Sequence, residues 1–110
     1  MTIPYNELLL GRGPDAGGFS QDFNYFSLGS KTFGSGDSLE PHFHADQHEI
    51  VVMVRGELLV TVDSANVTMK AGDKVVLEPG VIHGFMNRSA EWAEIAYLKF
   101  PPNSEDVTWV

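Results

Sequence analysis

The chain contains no cysteine. That excludes a disulfide framework and a thiolate metal site, and it leaves the redox compartment unmarked. Basic residues are scarce: 7 Lys and Arg stand against 15 Asp and Glu, for a formal net charge of −8. Neutralising a phosphate backbone takes a clustered basic surface, and these few cations are scattered, so no nucleic-acid partner is expected. The same negative field disfavours an anionic membrane surface, whereas it would attract a metal cation, which by itself is weak evidence. Long apolar runs are missing as well. Leu8-Leu9-Leu10 is too short for a signal peptide, and no stretch is long enough to span a bilayer. The expectation is a soluble, cytoplasmic protein. Helical periodicity is the last absence, since no segment sustains it over about ten residues.

What remains is a succession of short strand signals separated by turns. At 110 residues the expectation is one domain, 1–110, large enough to bury a core but near the small end. Residues 1–22 are polar and rich in glycine and read as an irregular arm with Ile3 and Leu8–Leu10 to bury. The arm either packs on its own barrel or exchanges with a partner subunit. Phe23–Leu28, bounded by Gly29, reads as an aromatic strand, and Lys31–Phe33 as a short second piece. Further strands are expected over 49–54, 57–63, 67–69, 74–77, 82–87 and 92–100, with turns at Arg55-Gly56, Ser64–Asn66, Ala71–Asp73 and Glu78–Gly80. Pro101-Pro102 stops the last strand, leaving a tail, 101–110, expected to be loose or to lie on the surface. About eight or nine short strands without helices predict an all-β sandwich or closed barrel. There is no repeat at a solenoid period and no low-complexity tract.

The chemistry concentrates between Gly36 and Gly56. His42 and His44 are two apart, so in an extended segment both imidazoles project from one face. Ala45-Asp46-Gln47 makes a turn, and a strand starting near Glu49 returns beside the first, bringing a carboxylate to the imidazoles. Two His and one Glu are ligands suited to a first-row metal. His83, after the Pro79-Gly80 turn, is a fourth candidate. His48 competes with Glu49, because adjacent strand residues face opposite sides and only one can point inward. The run from Glu49 to Gly56 favours Glu49, leaving His48 at the mouth or in the turn and a weak candidate for a catalytic base.

These segments resemble the two motifs of the cupin family. The first motif is Gly-x5-His-x-His-x(3,4)-Glu-x6-Gly, matched by Gly36, His42, His44, Glu49 and Gly56 over residues 36–56. The second is Gly-x5-Pro-x-Gly-x2-His-x3-Asn, matched by Gly72, Gly80, His83 and Asn87 over 72–87. Glu78 stands where the motif has proline, with Pro79 one residue on, a departure in the turn and not in a ligand. The spacer 57–71 is short, as in single-domain cupins. The resemblance implies a double-stranded β-helix, or jelly-roll barrel, in which His42, His44, Glu49 and His83 bind one divalent metal. It also implies a homodimer, which fits an apolar row, Ile50, Val52 and Val54, on the face opposite Glu49.

Alternation from Glu49 and His83 points Val51, Met53, Phe85 and Asn87 inward, and Phe33 joins them as wall of a substrate pocket or as plain core. Asn87 is expected to satisfy backbone groups, and Arg55 to be a rim charge. Imidazole and carboxylate ligands suit Fe, Mn, Ni, Co, Cu or Zn. Four protein ligands leave an octahedral ion two open positions for water, dioxygen or a chelating small-molecule substrate. With iron the leading expectation is a dioxygenase-type enzyme on a small oxygen-bearing substrate. Isomerase, lyase or cyclase chemistry, or a non-catalytic binding or sensing module, are the alternatives. A purely structural metal would be expected to have its coordination shell filled by protein.

Overall fold

A computed structural model describes residues 19–103 and 105–110. Within them ten strands follow one another: β1 (Phe19–Asp22), β2 (Ser27–Phe33), β3 (Ser38–Phe43), β4 (His48–Arg55), β5 (Glu57–Val62), β6 (Ala65–Lys70), β7 (Lys74–Leu77), β8 (His83–Met86), β9 (Ala93–Phe100) and β10 (Thr108–Trp109). They form two five-stranded antiparallel sheets, in the orders β1-β2-β9-β4-β7 and β10-β3-β8-β5-β6. This is the all-β double-stranded barrel expected of the motifs. Among the described residues no helix is long and apolar enough to cross a membrane. Of the expected irregular arm, 1–22, residues 1–18 lie outside the described residues, and the last four, Phe19–Asp22, are instead strand β1, ordered by antiparallel pairing with β2.

The core lies between the sheets and follows from period-two patterning. Along β4, Glu49, Val51 and Met53 are buried while His48, Ile50, Val52 and Val54 are half-buried on the other face. Val51, Met53 and Phe85 meet Leu58, Val60 and Phe33 in one cluster. The Phe33 and Phe85 rings lie 6.0 Å apart. Burying each such side chain contributes ~1.5–3 kcal/mol before chain entropy is counted.

Two local expectations are corrected. Phe23–Phe26 is not strand: its ends are tied by a Phe23 N–H to Phe26 carbonyl bond of 2.8 Å, and the two rings stack at 5.0 Å. The strand begins at Ser27 and runs unbroken through Gly29 to Phe33, because β9 pairs with that whole length. Aromatic content signalled a strand there, but the aromatics serve a hairpin bend, while tertiary pairing overrides the weak strand preference of Gly29.

The most consequential irregularity is in β3. Leu39 pairs with Phe85, but His42 pairs with His83, so the register shifts between them. Leu39 packs toward the core and His42 is buried on the same side. An odd and an even residue share a face only if one extra residue is inserted, and the bulge at Glu40-Pro41 is that residue. Proline, which has no N–H to give a ladder, suits the position.

Candidate metal centre

His42 at the end of β3, His44 just beyond it, Glu49 in β4 and His83 opening β8 converge at one end of the barrel. The three histidines are almost fully buried, and each offers a ring nitrogen within 4.8 Å of the other two. His44 Nε2 lies 3.0 Å from Glu49 Oε1, and His83 Nε2 lies 3.6 Å from the same oxygen. Each ring is held by its other nitrogen. His42 Nδ1 faces the Glu40 carbonyl at 2.8 Å, His44 Nδ1 the Asp106 carbonyl at 2.6 Å, and His83 Nδ1 the Val81 carbonyl at 3.0 Å. A carbonyl only accepts, so each Nδ1 carries a proton and donates it. In a neutral ring the lone pair is then on Nε2, toward the centre.

That arrangement creates a deficit. His44 Nε2, His83 Nε2 and Glu49 Oε1 are buried without a hydrogen-bond partner. The 3.0 Å approach of His44 to Glu49 is thus a close contact without hydrogen-bond alignment. Lone pairs facing a carboxylate oxygen at that distance repel unless a proton or a cation stands between them. A divalent ion satisfies all of them at once, and the donor set of three imidazoles and one carboxylate suits a first-row transition metal.

Electrostatics favour the metal-ready protonation states. Burial works against the ionised form of Glu49, but the hydrogen bonds that His44 and His83 donate when their Nε2 atoms carry protons, together with the charge of Lys99, outweigh it and hold the carboxyl at about 2 in the metal-free site. Burial foremost lowers the pKa of His42, with the neighbouring His83 and His44 adding to it against the Glu40 carbonyl and Glu49. His42 is therefore neutral at pH 7, as a ligand must be.

No curated protein matches the chain. A family profile described as Cupin domain matches residues 30–98. The chain belongs to the cupin family. Solved structures agree on the fold. A double-stranded β-helix protein from Klebsiella pneumoniae is similar with TM-score 0.77 at 19% identity, covering 91% of this chain and 90% of that one. KdgF from Halomonas sp. is similar with TM-score 0.73 at 18% identity, covering 80% of each chain. An oxalate oxidase in complex with glycolate is similar with TM-score 0.72 at 20% identity, covering 84% of this chain and 55% of the oxidase.

The remaining residues singled out in this cupin fall into place by strand parity. His48 faces outward, stacked on Phe100 at 5.0 Å with Nδ1 2.8 Å from Glu78 Oε2, so it is not available to the cluster as a base. Glu78, which replaces the motif's proline, thus gains an exposed ion-pair partner, while Pro79 and the positive-φ Gly80 still make the turn. Phe85 reaches the cluster, its ring 6.0 Å from that of His83. Val51 lies one inward position beyond Glu49. Met53 and Phe33 are fully buried core further along the barrel. Asn87 is no pocket residue: its Nδ2 donates to the Phe33 and Glu91 carbonyls, and its Oδ1 accepts from Ser89 N–H and Oγ–H. Arg55 is exposed and lies over the Trp92 ring.

Sequence reasoning missed four residues around the centre. Tyr97 and Lys99 follow Ile95 in inward alternation on β9, opposite Val51 and Glu49. Asp106 and Trp109 belong to the tail, which lies on the surface but is not loose. Trp109 pairs with His42 through β10, its ring 5.0 Å from the imidazole. The Asp106 carboxylate accepts from the N–H groups of Ala45, Asp46 and Gln47 at 2.7, 2.8 and 3.0 Å, clamping the turn between the His and Glu strands. Its own carbonyl orients His44. Asp106→Ala removes the turn clamp, and loosening a ligand's support costs ~10–100-fold in metal affinity. The expected result is that loss in a competitive chelator titration, with the melting temperature of the metal-free protein changed far less.

Proposed function

We propose that this cupin holds one divalent transition metal per chain through His42, His44, Glu49 and His83, and that it is a metal-dependent enzyme for a small oxygen-bearing substrate. A dioxygenase-type oxidoreductase is the leading reading. The observation that supports it is the set of buried, partnerless Nε2 and carboxylate atoms aimed at one point, with every Nδ1 already committed. A bound ion there would supply Lewis acidity and open coordination positions. The protein's own residues do the rest. Three carbonyls fix the imidazoles, Glu49 brings one negative charge, and Phe85 and Val51 keep water from the inner side. Tyr97, whose phenol pKa is raised foremost by burial, hydrogen-bonds with Ser20 and lies across the ladder from Val51. That a protein of the same fold is an oxalate oxidase captured with glycolate is consistent with this reading but does not carry it.

The test is reconstitution with iron, manganese, nickel and zinc separately. Each form is assayed on 1,3-diketones, catechols, flavonols, keto acids and sugar acids, with oxygen uptake and product formation as readouts. Oxygen uptake with iron supports the dioxygenase reading. Turnover without oxygen points to isomerase or lyase chemistry, and binding without turnover in every metal form sinks the enzyme reading in favour of a sensing module. The reading includes a homodimer, because Ile50, Val52 and Val54 leave a half-buried apolar row on the outer face of β4. Light scattering at micromolar concentration should give twice the chain mass, and a monomer counts against it.

A further inference from the structure

We propose that Lys99 anchors the substrate of this centre and that the substrate is a small carboxylate, its carboxyl group lying between the Lys99 ammonium and the open side of the histidine cluster. The inference rests on the metal-centre reading above and adds the charge and class of the ligand.

Lys99 sits directly opposite Glu49 in the antiparallel β4–β9 ladder. Facing residues in such a pair share one side of the sheet, with Cβ atoms ~4.5–5.5 Å apart. Glu49 is buried toward the cluster, so Lys99 is directed toward the same end of the barrel. Alternation along β9 agrees, since Ile95 is in the core and Tyr97 packs against it. Lys99 is half-buried, and its Nζ lies over the Tyr97 ring, 5.0 Å from the centroid.

No described carboxylate is within ion-pair distance of it. The acids on the facing strands are Glu49, turned to His44 and His83, and Asp22, which accepts from the Ser27 hydroxyl. In a chain with 7 basic and 15 acidic residues, an ammonium left half-buried and without a carboxylate partner among the described residues, beside a metal centre, is an exception. Its counter-charge is not needed for Glu49 once a cation binds there. Three neutral imidazoles, one carboxylate and a divalent ion sum to one positive charge, and Lys99 makes it two. The loaded cluster with Lys99 is thus locally positive in a protein that is otherwise negative, with the neighbouring Asp106 carboxylate spent on three turn N–H groups, and it favours an anion.

A carboxylate fits better than a phosphate. One ammonium is a single point charge, without the fork geometry by which an arginine takes a phosphate's extra oxygens and charge. A carboxylate bearing an adjacent hydroxyl or carbonyl is matched to one ammonium and an ion with two open positions.

The experiment uses full-length, manganese-loaded protein, with metal content measured first. Calorimetric titrations with lactate, with its uncharged isostere lactamide and with inorganic phosphate are run on the wild type, Lys99→Gln and Lys99→Arg. Metal content should be the same in all three, since Lys99 is not a ligand. Wild type should bind lactate ~10-fold or more tightly than lactamide, as a charge-assisted contact requires. Lys99→Gln should abolish that preference without weakening lactamide, and Lys99→Arg should keep most of it. A wild type that takes up no metal defeats the metal-centre reading itself. Normal metal uptake with no lactate binding, or with lactate binding unchanged in Lys99→Gln, overturns the anchor. Tighter Lys99-dependent binding of phosphate than of lactate overturns the carboxylate class.

Discussion

His44→Ala strips most of the metal from this cupin, and His83→Ala does the same. Each change removes a nitrogen that touches the centre, so the loss of affinity should exceed the ~10–100-fold typical of supporting residues. His44 is the more informative site because it joins the elements: its Nε2 faces Glu49 and its Nδ1 reaches the tail at Asp106. Elemental analysis after dialysis is the measurement, and full metal content in both variants would remove the assignment. Comparing Glu49→Ala with His48→Ala tests the parity argument. Glu49→Ala should lose metal and His48→Ala should keep it, since His48 lies outside with Glu78. Acidification should release metal through the histidines. Protons compete for the Nε2 lone pairs, so affinity falls on acidification, and the burial that lowers the pKa of His42 moves its share of that loss to lower pH. Glu49 does not drive that loss, because it stays ionised down to about 2. As a depressed carboxylate, it stabilises the fold above its unfolded value of 4.5 and loses that contribution as pH falls toward about 2.

Gly56→Ala is expected to be the most damaging single substitution away from the metal. Gly56 links β4 to β5 with φ of 73°. A Cβ there would stand 2.7 Å from the Trp92 carbonyl oxygen and 3.0 Å from Ala93 Cα, both of them backbone. The left-handed conformation alone costs ~1–2 kcal/mol for a residue with a side chain. The backbone overlap raises the total to ~2–4 kcal/mol, a severe effect with a named cause. Gly72 is the control, since it has φ of 95° and nothing within 4 Å of a built Cβ. Gly72→Ala should therefore show the conformational cost only. Urea midpoints of the two variants decide the matter. Equal losses would mean that the Trp92 contact yields freely and that only backbone conformation matters at Gly56.

Much of this protein was legible in its residues, and for a definable reason. Spacing within one strand fixes which side chains share a face, so His42 with His44, and Glu49 with Val51 and Met53 against His48, could be read before any tertiary structure. Turn chemistry at Gly56 and Pro79-Gly80 placed strand ends well, and the absence of cysteine and of helical periodicity bounded both the chemistry and the fold. Relations between strands are another matter, because no local pattern states which residue lies across a ladder. Only the tertiary structure placed the bulge at Glu40-Pro41 that turns His42 to the side of Leu39. Only it joined β2 through Gly29, spent Asn87 on backbone groups and set Lys99 opposite Glu49. The tail is the plainest case. Pro101-Pro102 announces an end to the strand, and nothing in 103–110 announces that Asp106 will hold His44 and the turn after it. Those hydrogen bonds exist because the barrel closes, and closure is a property of the whole chain.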